Sequence, residues 1–305
     1  MQTAMKELLN LETTEDYNVR VGHKALHPLI SIIDLSNANY QEGARALALR
    51  FGFYAIFLKQ GTDCTLKYGR NKYDYQEGTL VFIGPGQVVD ISSDGPDYQP
   101  SGIAVLFHPD LLLGTNMAKK IKDYSFFSYE VFEALHLSDR ERQIVMDCVH
   151  KIEFELQQGI DKHSKNLIVS NLELFLGYCM RFYDRQFITR DTINQGVLEK
   201  FDHLLDGYFK SDKPQTLGTP SVGFFAEELH FSPNYFGDLI KKETGRSALE
   251  YIQTKLIEEA KERVFDVNKT VSEIAYELGF KYPQHFSRLF KQKVGHSPNE
   301  FRMLN

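Results

Sequence analysis

The most regular pattern of apolar and polar positions lies near the end of the chain, Val271 to Arg302, VSEIAYELGFKYPQHFSRLFKQKVGHSPNEFR. Ile274, Ala275 and Leu278 form one helical stripe, and Phe286, Leu289 and Phe290 a second, as two short amphipathic helices require. Gly279 and Phe280 fall between the stripes. Pro283 suits a first helical position, where no N–H is needed. Gly295 then ends the helix and Pro298 bars its continuation. Helix, glycine-containing turn and helix predict a helix-turn-helix over 271–295, whose second helix enters a DNA major groove. Gln284, Ser287, Arg288 and Lys291 share the polar side of that helix at i, i+3, i+4 and i+7. Gln and Arg pair with adenine and guanine edges, Ser bonds several bases, and Lys neutralises phosphate. Tyr282 and His285 stand at the start of the same helix. Taken alone, the stripe fits a solvated helix face equally well.

A repeat changes that balance. Val222, Ala226, Glu228, Leu229 and Phe231 pair with Val271, Ala275, Glu277, Leu278 and Phe280. After a one-residue slip, Phe236, Leu239, Lys241, Gly245, Ser247, Glu250 and Tyr251 pair with Phe286, Leu289, Lys291, Gly295, Ser297, Glu300 and Phe301. A first helix-turn-helix is therefore expected over 222–245, with Ser232-Pro233 opening its second helix. Between the units, Ser247 to Phe265 reads as one long helix buried along Leu249, Ile252, Leu256, Ala260 and Val264. Such a strut would hold two probe helices at a spacing suited to neighbouring major-groove segments.

In these residues the chain, from about 194 to 305, resembles the DNA-binding domain of the AraC/XylS family of bacterial transcription regulators. The resemblance rests on Ile274, Ala275, Gly279, Phe280, Phe286, Arg288, Phe290, Lys291, Gly295, Ser297, Pro298, Phe301 and Arg302. It implies promoter DNA as the partner, RNA polymerase as a candidate second partner, and an N-terminal regulatory domain. The first unit departs from the second: Gly237 and Asp238 stand where Ser287 and Arg288 do, and a carboxylate repels phosphate. Base readout is thus expected mainly from the second unit, the first relying on Ser232, Asn234, Tyr235, Lys241 and Lys242.

The 305 residues suggest two domains. The net charge of −6 points away from nucleic acid, but one basic face suffices for binding. Lys281, Arg288, Lys291, Lys293 and Arg302 crowd the end of the chain. Cys64, Cys148 and Cys179 are scattered in apolar surroundings, as small core residues of a reducing compartment are. No apolar run reaches spanning length and the N-terminus is too charged for a signal peptide. A soluble cytoplasmic protein is expected, with no membrane partner.

Upstream, the first 20 residues read as a short amphipathic arm. Strands are expected at Leu29 to Leu35, Phe53 to Lys59, Thr65 to Tyr68, Gly78 to Ile83, Val88 to Ser92 and Gly102 to Phe107, separated by Gly, Asp and Pro breaks. Many short strands predict a closed or double-sheet β structure. The segment EGTLVFIGPGQ resembles part of a cupin barrel, the usual sensor fold of the family. Metal cupins need a His-x-His pair with a carboxylate and a later His, and the chain has no His-x-His. No catalytic residues, metal ligands or cofactor are therefore expected, and the barrel reads as a binding module for a sugar or other metabolite. His27, Arg50, Tyr54 and His108 are its candidate polar handles.

From Ser138 to Tyr183 the period turns helical. Ile144, Cys148, Ile152 and Leu156 line one helix, and Leu172, Phe175, Leu176, Cys179 and Tyr183 a second. This hairpin packs on the barrel and, by family resemblance, makes a homodimer. The predicted organisation is a cupin-like domain (1–137), a helical hairpin (138–185), a linker (186–196) and an all-α DNA-binding domain (197–305). The expected function is an effector-controlled transcription regulator. Two alternatives stay open: a metal-independent cupin enzyme fused to a DNA-binding domain, and a sensor that answers to a protein partner.

Overall fold

The computed structural model describes residues 8–39, 48–59, 65–68, 71–74, 78–90, 101–130, 133–159, 161–189, 191–266 and 268–304. Cys64 lies outside them. The chain forms two compact units, 1–189 and 190–305.

The N-terminal unit runs β1 (Leu8–Leu11), α1 (Thr14–Arg20), β2 (Ile30–Asp34), β3 (Ala48–Phe51), β4 (Tyr54–Lys59), β5 (Thr65–Tyr68), β6 (Asn71–Asp74), β7 (Thr79–Ile83), β8 (Val88–Asp90) and β9 (Gly102–Phe107). Then come α2 (Met117–Lys120), β10 (Leu135–His136), α3 (Asp139–Gln157) and α4 (Ser164–Thr189). The strands make two five-stranded sheets, ordered β1-β3-β8-β5-β6 and β10-β7-β4-β9-β2. Of the 20 residues expected to form an arm, the described ones hold a strand and a helix. Leu8–Leu11 pairs in parallel with Ala48–Phe51, and a capping box between Thr13 and Asp16 opens α1.

One apolar cluster joins the sheets. Leu49, Phe51 and Val89 from the first meet Ile33, Ala55, Phe57, Val81, Ile83, Ala104 and Leu106 from the second, with Tyr17 of α1 among them. The second sheet is covered on its other face too. The Phe82 ring lies 4.4 Å from Phe126 and 6.0 Å from Tyr183 of α4. Burial on both faces explains why β7 and β9 read as continuous apolar runs rather than alternating ones.

Helices α3 and α4 pack on each other through Val145, Cys148, Val149 and Ile152 and through Leu172, Phe175, Leu176 and Cys179. Arg185 closes the hairpin at one end, donating to both oxygens of Glu141 at 3.0 and 2.7 Å and to the His136 carbonyl at 2.7 Å. The two units divide at 189/190, inside the segment 186–196 expected as a linker, and the described residues there are helical: α4 runs on to Thr189, and the next helix starts at Asp191. Polar composition suggested a loop, but Phe187 is buried and Gln186 serves the backbone of β10. Its Oε1 accepts from the His136 N–H and its Nε2 donates to the Ala134 carbonyl.

The C-terminal unit is helical: α5 (Asp191–Phe209), α6 (Lys213–Leu217), α7 (Val222–Glu228), α8 (Pro233–Thr244), α9 (Ala248–Val264), α10 (Val271–Glu277), α11 (Pro283–Val294) and α12 (Pro298–Leu304). Helix α9 touches α5, α7 and α8 of the first half of the unit and α10, α11 and α12 of the second. Its buried stripe is Ala248, Ile252, Leu256, Ile257, Ala260 and Val264. Leu249 is 52% exposed, so the expected stripe started one residue late. Phe201, Phe225 and Phe236 centre the first half of the unit, with rings about 5 Å apart. Phe280, Phe286, Phe290 and Phe301 chain through the second.

Candidate nucleic-acid interface

The two helix-turn-helix units are built by the same local chemistry. Ser221 caps α7 by accepting from the Phe224 N–H, and Thr270 caps α10 in a box with Glu273. In the turns, the Phe231 N–H donates to the Ala226 carbonyl at 2.8 Å and the Phe280 N–H to the Ala275 carbonyl at 2.9 Å. Both second helices begin with a proline and end at a left-handed glycine, Gly245 and Gly295, the conformation that satisfies terminal carbonyls at least strain. Ser247 and Ser297 then receive the carboxylates of Glu250 and Glu300 on their N–H groups. The duplication read in the sequence is thus a duplication of hydrogen bonds.

Helix α11 buries Phe286 and Phe290 and turns its other side outward. Gln284, His285, Arg288 and Lys291 are exposed, Ser287 is half-buried, and Tyr282 at the N-cap is 46% exposed. The Tyr282 ring packs edge-on against His285 at 5.5 Å, with the Lys281 ammonium 5.7 Å from the same ring. These side chains form one polar strip with donors suited to base edges and phosphates.

The first unit presents less. Asn234, Lys241 and Lys242 are exposed. Ser232 is buried and accepts from the Tyr235 N–H at 3.2 Å. Tyr235 is 4% exposed and stacks on Phe231 at 5.4 Å. Neither side chain therefore joins the outward strip expected of it, whereas the equivalent residues of the second unit, the N-cap Tyr282 and His285, are exposed. Arg302, counted with the basic groups at the chain end, is also committed elsewhere: it donates to the Val264, Asp266 and Lys269 carbonyls.

Sequence reasoning missed the inward-facing contacts that orient the second unit. Glu277 of α10 accepts from Lys269 at 2.6 Å and lies 3.8 Å from Arg263 of α9. Arg263 also donates to the Phe209 carbonyl at the end of α5. The segment before the first unit holds α6, which touches both α5 and α10. Between α6 and the α10–α11 turn lies a cleft of about 690 Å³, lined by Gln215, Leu217, Tyr276, Glu277, Phe280 and Lys281 among others.

In the N-terminal unit the four candidate handles do not converge. The His108 N–H donates to the Leu29 carbonyl at 2.8 Å, which brings His27 and His108 to one end of the second sheet. Each ring accepts a backbone N–H at Nδ1, and burial lowers the pKa of His27. Tyr54 stacks on Phe107 at 4.9 Å and meets Phe127 edge-on, so it faces away from the inter-sheet core; burial raises its pKa. Arg50 is exposed on the first sheet, between buried Leu49 and Phe51. Period-two alternation therefore points Arg50 and Tyr54 out of the two sheets.

Residues 225–303 match the model of a helix-turn-helix domain family. The chain is 26% identical over 263 residues to the uncharacterized HTH-type transcriptional regulator YfiF of Bacillus subtilis, covering 84% of this chain and 78% of that protein. It is 40% identical over 91 residues to the transcriptional regulatory protein YesN of the same organism, covering 28% of this chain and 25% of that protein. Among solved structures, the C-terminal domain of AraT, a response regulator from Geobacillus stearothermophilus, is 26% identical, covering 36% of this chain and 85% of that one with a TM-score of 0.32. The C-terminal unit is a helix-turn-helix domain.

Proposed function

We propose that this chain is a DNA-binding transcription regulator of the AraC type, whose C-terminal unit reads promoter DNA. One observation carries the reading: two matching helix-turn-helix units share α9, and α11 presents Gln284, Arg288 and Lys291 to solvent. YfiF and YesN are named as regulators, which supports the same conclusion. The second unit supplies most base readout, because Tyr235 is buried and Asp238 stands where the second unit has Arg288. Asn234, Lys241 and Lys242 of the first unit serve chiefly phosphate and register.

The β-rich N-terminal unit is proposed to be a cupin-like sensor for a small metabolite, with His27 and His108 its polar handles. Bound effector would favour one arrangement of the chain over another and so shift a population. A second copy would pair through the α3–α4 hairpin, where Phe154, Leu167 and Leu174 are exposed apolar side chains. RNA polymerase is the proposed partner at the promoter. No helix among the described residues is long and apolar enough to cross a membrane, and the proposed place of action is the cytoplasm.

The test is a duplex selected by the protein from a random-sequence library, bound again by Arg288→Ala. Loss of a bidentate guanine contact costs about 1–3 kcal/mol at one base pair and relaxes preference there. An unchanged preference removes Arg288 from the reading set; failure to select any duplex contradicts DNA binding itself.

A further inference from the structure

The two turns of the repeat differ at one position in a way the turn itself does not require. His230 and Gly279 hold the same place, each between the paired Leu and Phe, and both have positive φ, 61° and 89°. Among the described residues His230 is the one non-glycine in that region. A left-handed residue other than glycine costs about 1–2 kcal/mol, so the first turn tolerates a side chain that the second lacks. The second turn has a separate reason for glycine. A Cβ on Gly279 would lie 2.3 Å from the Gly218 carbonyl oxygen and 2.7 Å from the Pro214 carbonyl oxygen. These are backbone atoms of α6 and its C-cap, which cannot move aside as a flexible side chain could.

The segment that makes this approach is anchored on the first half of the unit. The Tyr208 hydroxyl donates to the Gly218 carbonyl at 3.0 Å. Tyr208 packs edge-on against Phe224 of α7 at 5.2 Å, and the Lys213 ammonium sits 5.1 Å over the same ring. Pro214 is buried, and the Gly218 N–H donates back to its carbonyl. Tyr208 of α5 and Phe224 of α7 thus hold the segment on the first half of the unit, and the turn of the second helix-turn-helix meets Pro214 and Gly218 of the same segment, on a path separate from α9.

We propose that residues 210–220 are a positioning strap that fixes the orientation of the second probe helix relative to the first, with Gly279 as its seat. This inference rests on the DNA-binding reading. It adds that the spacing of bound DNA segments is set by the strap together with α9, and not by α9 alone. Two rigidly linked modules gain avidity only where both sites fall within reach, and preorganisation sharpens that limit.

The experiment compares two duplexes: one selected by the wild-type full chain, and the same duplex with two base pairs inserted between the contacted segments. Wild type is expected to bind the inserted duplex about 10- to 100-fold more weakly. Gly279→Ala lowers affinity for the parent duplex and shrinks that discrimination by about tenfold. Tyr208→Phe, which removes one hydrogen bond and keeps the ring packing, shifts the ratio in the same direction while the chain still unfolds in one cooperative transition, its melting temperature lowered by only a few degrees, about what one lost hydrogen bond costs. A general loss of fold would weaken both duplexes alike and leave the ratio unchanged. An unchanged ratio in both variants overturns the strap while leaving DNA binding intact. A wild-type chain that selects no duplex overturns the underlying reading and the strap with it.

Discussion

Arg302 donates from Nε to the Val264 carbonyl at 2.6 Å, reaching back from the last helix to the end of α9. Its Nη2 donates to the Lys269 carbonyl at 3.0 Å. The final carbonyls of a helix lack partners within it and carry partial negative charge, so a guanidinium there both bonds and complements them. Arg302→Ala should lower the stability of the C-terminal unit by about 1.5–3 kcal/mol, the usual worth of bonds from a charged group. Chemical denaturation followed by helical circular dichroism measures it, and unaltered stability would deny Arg302 this role.

Lys291 ends the exposed strip of α11 and is expected to act on phosphate alone. Lys291→Ala should weaken binding to every duplex by a similar factor. It should also flatten the dependence of affinity on salt by about one counterion. Titrations at several salt concentrations separate it from Arg288→Ala, which changes base preference. A sequence-dependent loss would instead place Lys291 on a base edge.

The Tyr251 hydroxyl donates to the Asp202 carboxylate at 2.7 Å, joining α9 to α5. Burial, then this bond and the charge of Asp202, push its pKa up to about 12. The folded value lies above that of a free tyrosine, about 10, so the neutral hydroxyl is the stabilising form. The contribution is complete below about pH 10 and is lost as pH rises through the folded value. Tyr251→Phe should cost about 1–2 kcal/mol at neutral pH and remove that part of the alkaline destabilisation. Urea denaturation across the alkaline range checks both, and identical alkaline slopes would refute the assignment.

The Arg185–Glu141 pair makes the opposite prediction for the N-terminal unit. Burial pushes Glu141 up, but bonds from Ser138 and Arg185 outweigh it and leave the carboxyl below the usual range. A depressed carboxylate stabilises above its unfolded value and loses that contribution as pH falls through the folded one. Glu141→Gln should flatten the acid limb of stability. Because Arg185 is about one-third exposed, the neutral-pH cost should be only about 1 kcal/mol. An acid limb as steep as wild type would contradict the role of Glu141.

Much of this architecture can be read from local pattern. β2, β4, β7 and β9 start within one residue of the expected strands, because apolar runs between Gly and Pro breaks leave little choice. The face of α11 follows from its 3.6-residue period, and burial of Phe286 and Phe290 agrees. What stayed hidden depends on distant partners. Leu8–Leu11 becomes a strand only by pairing with Ala48–Phe51. Gln186 looks like linker until His136 and Ala134 need its amide. Tyr235 matches a reading position by type, yet its ring is buried and stacks on Phe231, while its counterpart His285 is exposed. Gly279 carried a signal for a turn, but its closeness to Gly218 is a tertiary fact with no local trace.

Hydroxyl-radical footprinting of the full chain on its selected duplex tests the central claim most directly. Two probe helices held on α9 predict two protected stretches on one face of the DNA, centred about 10–10.5 base pairs apart. A single short stretch, or two on opposite faces, would contradict it.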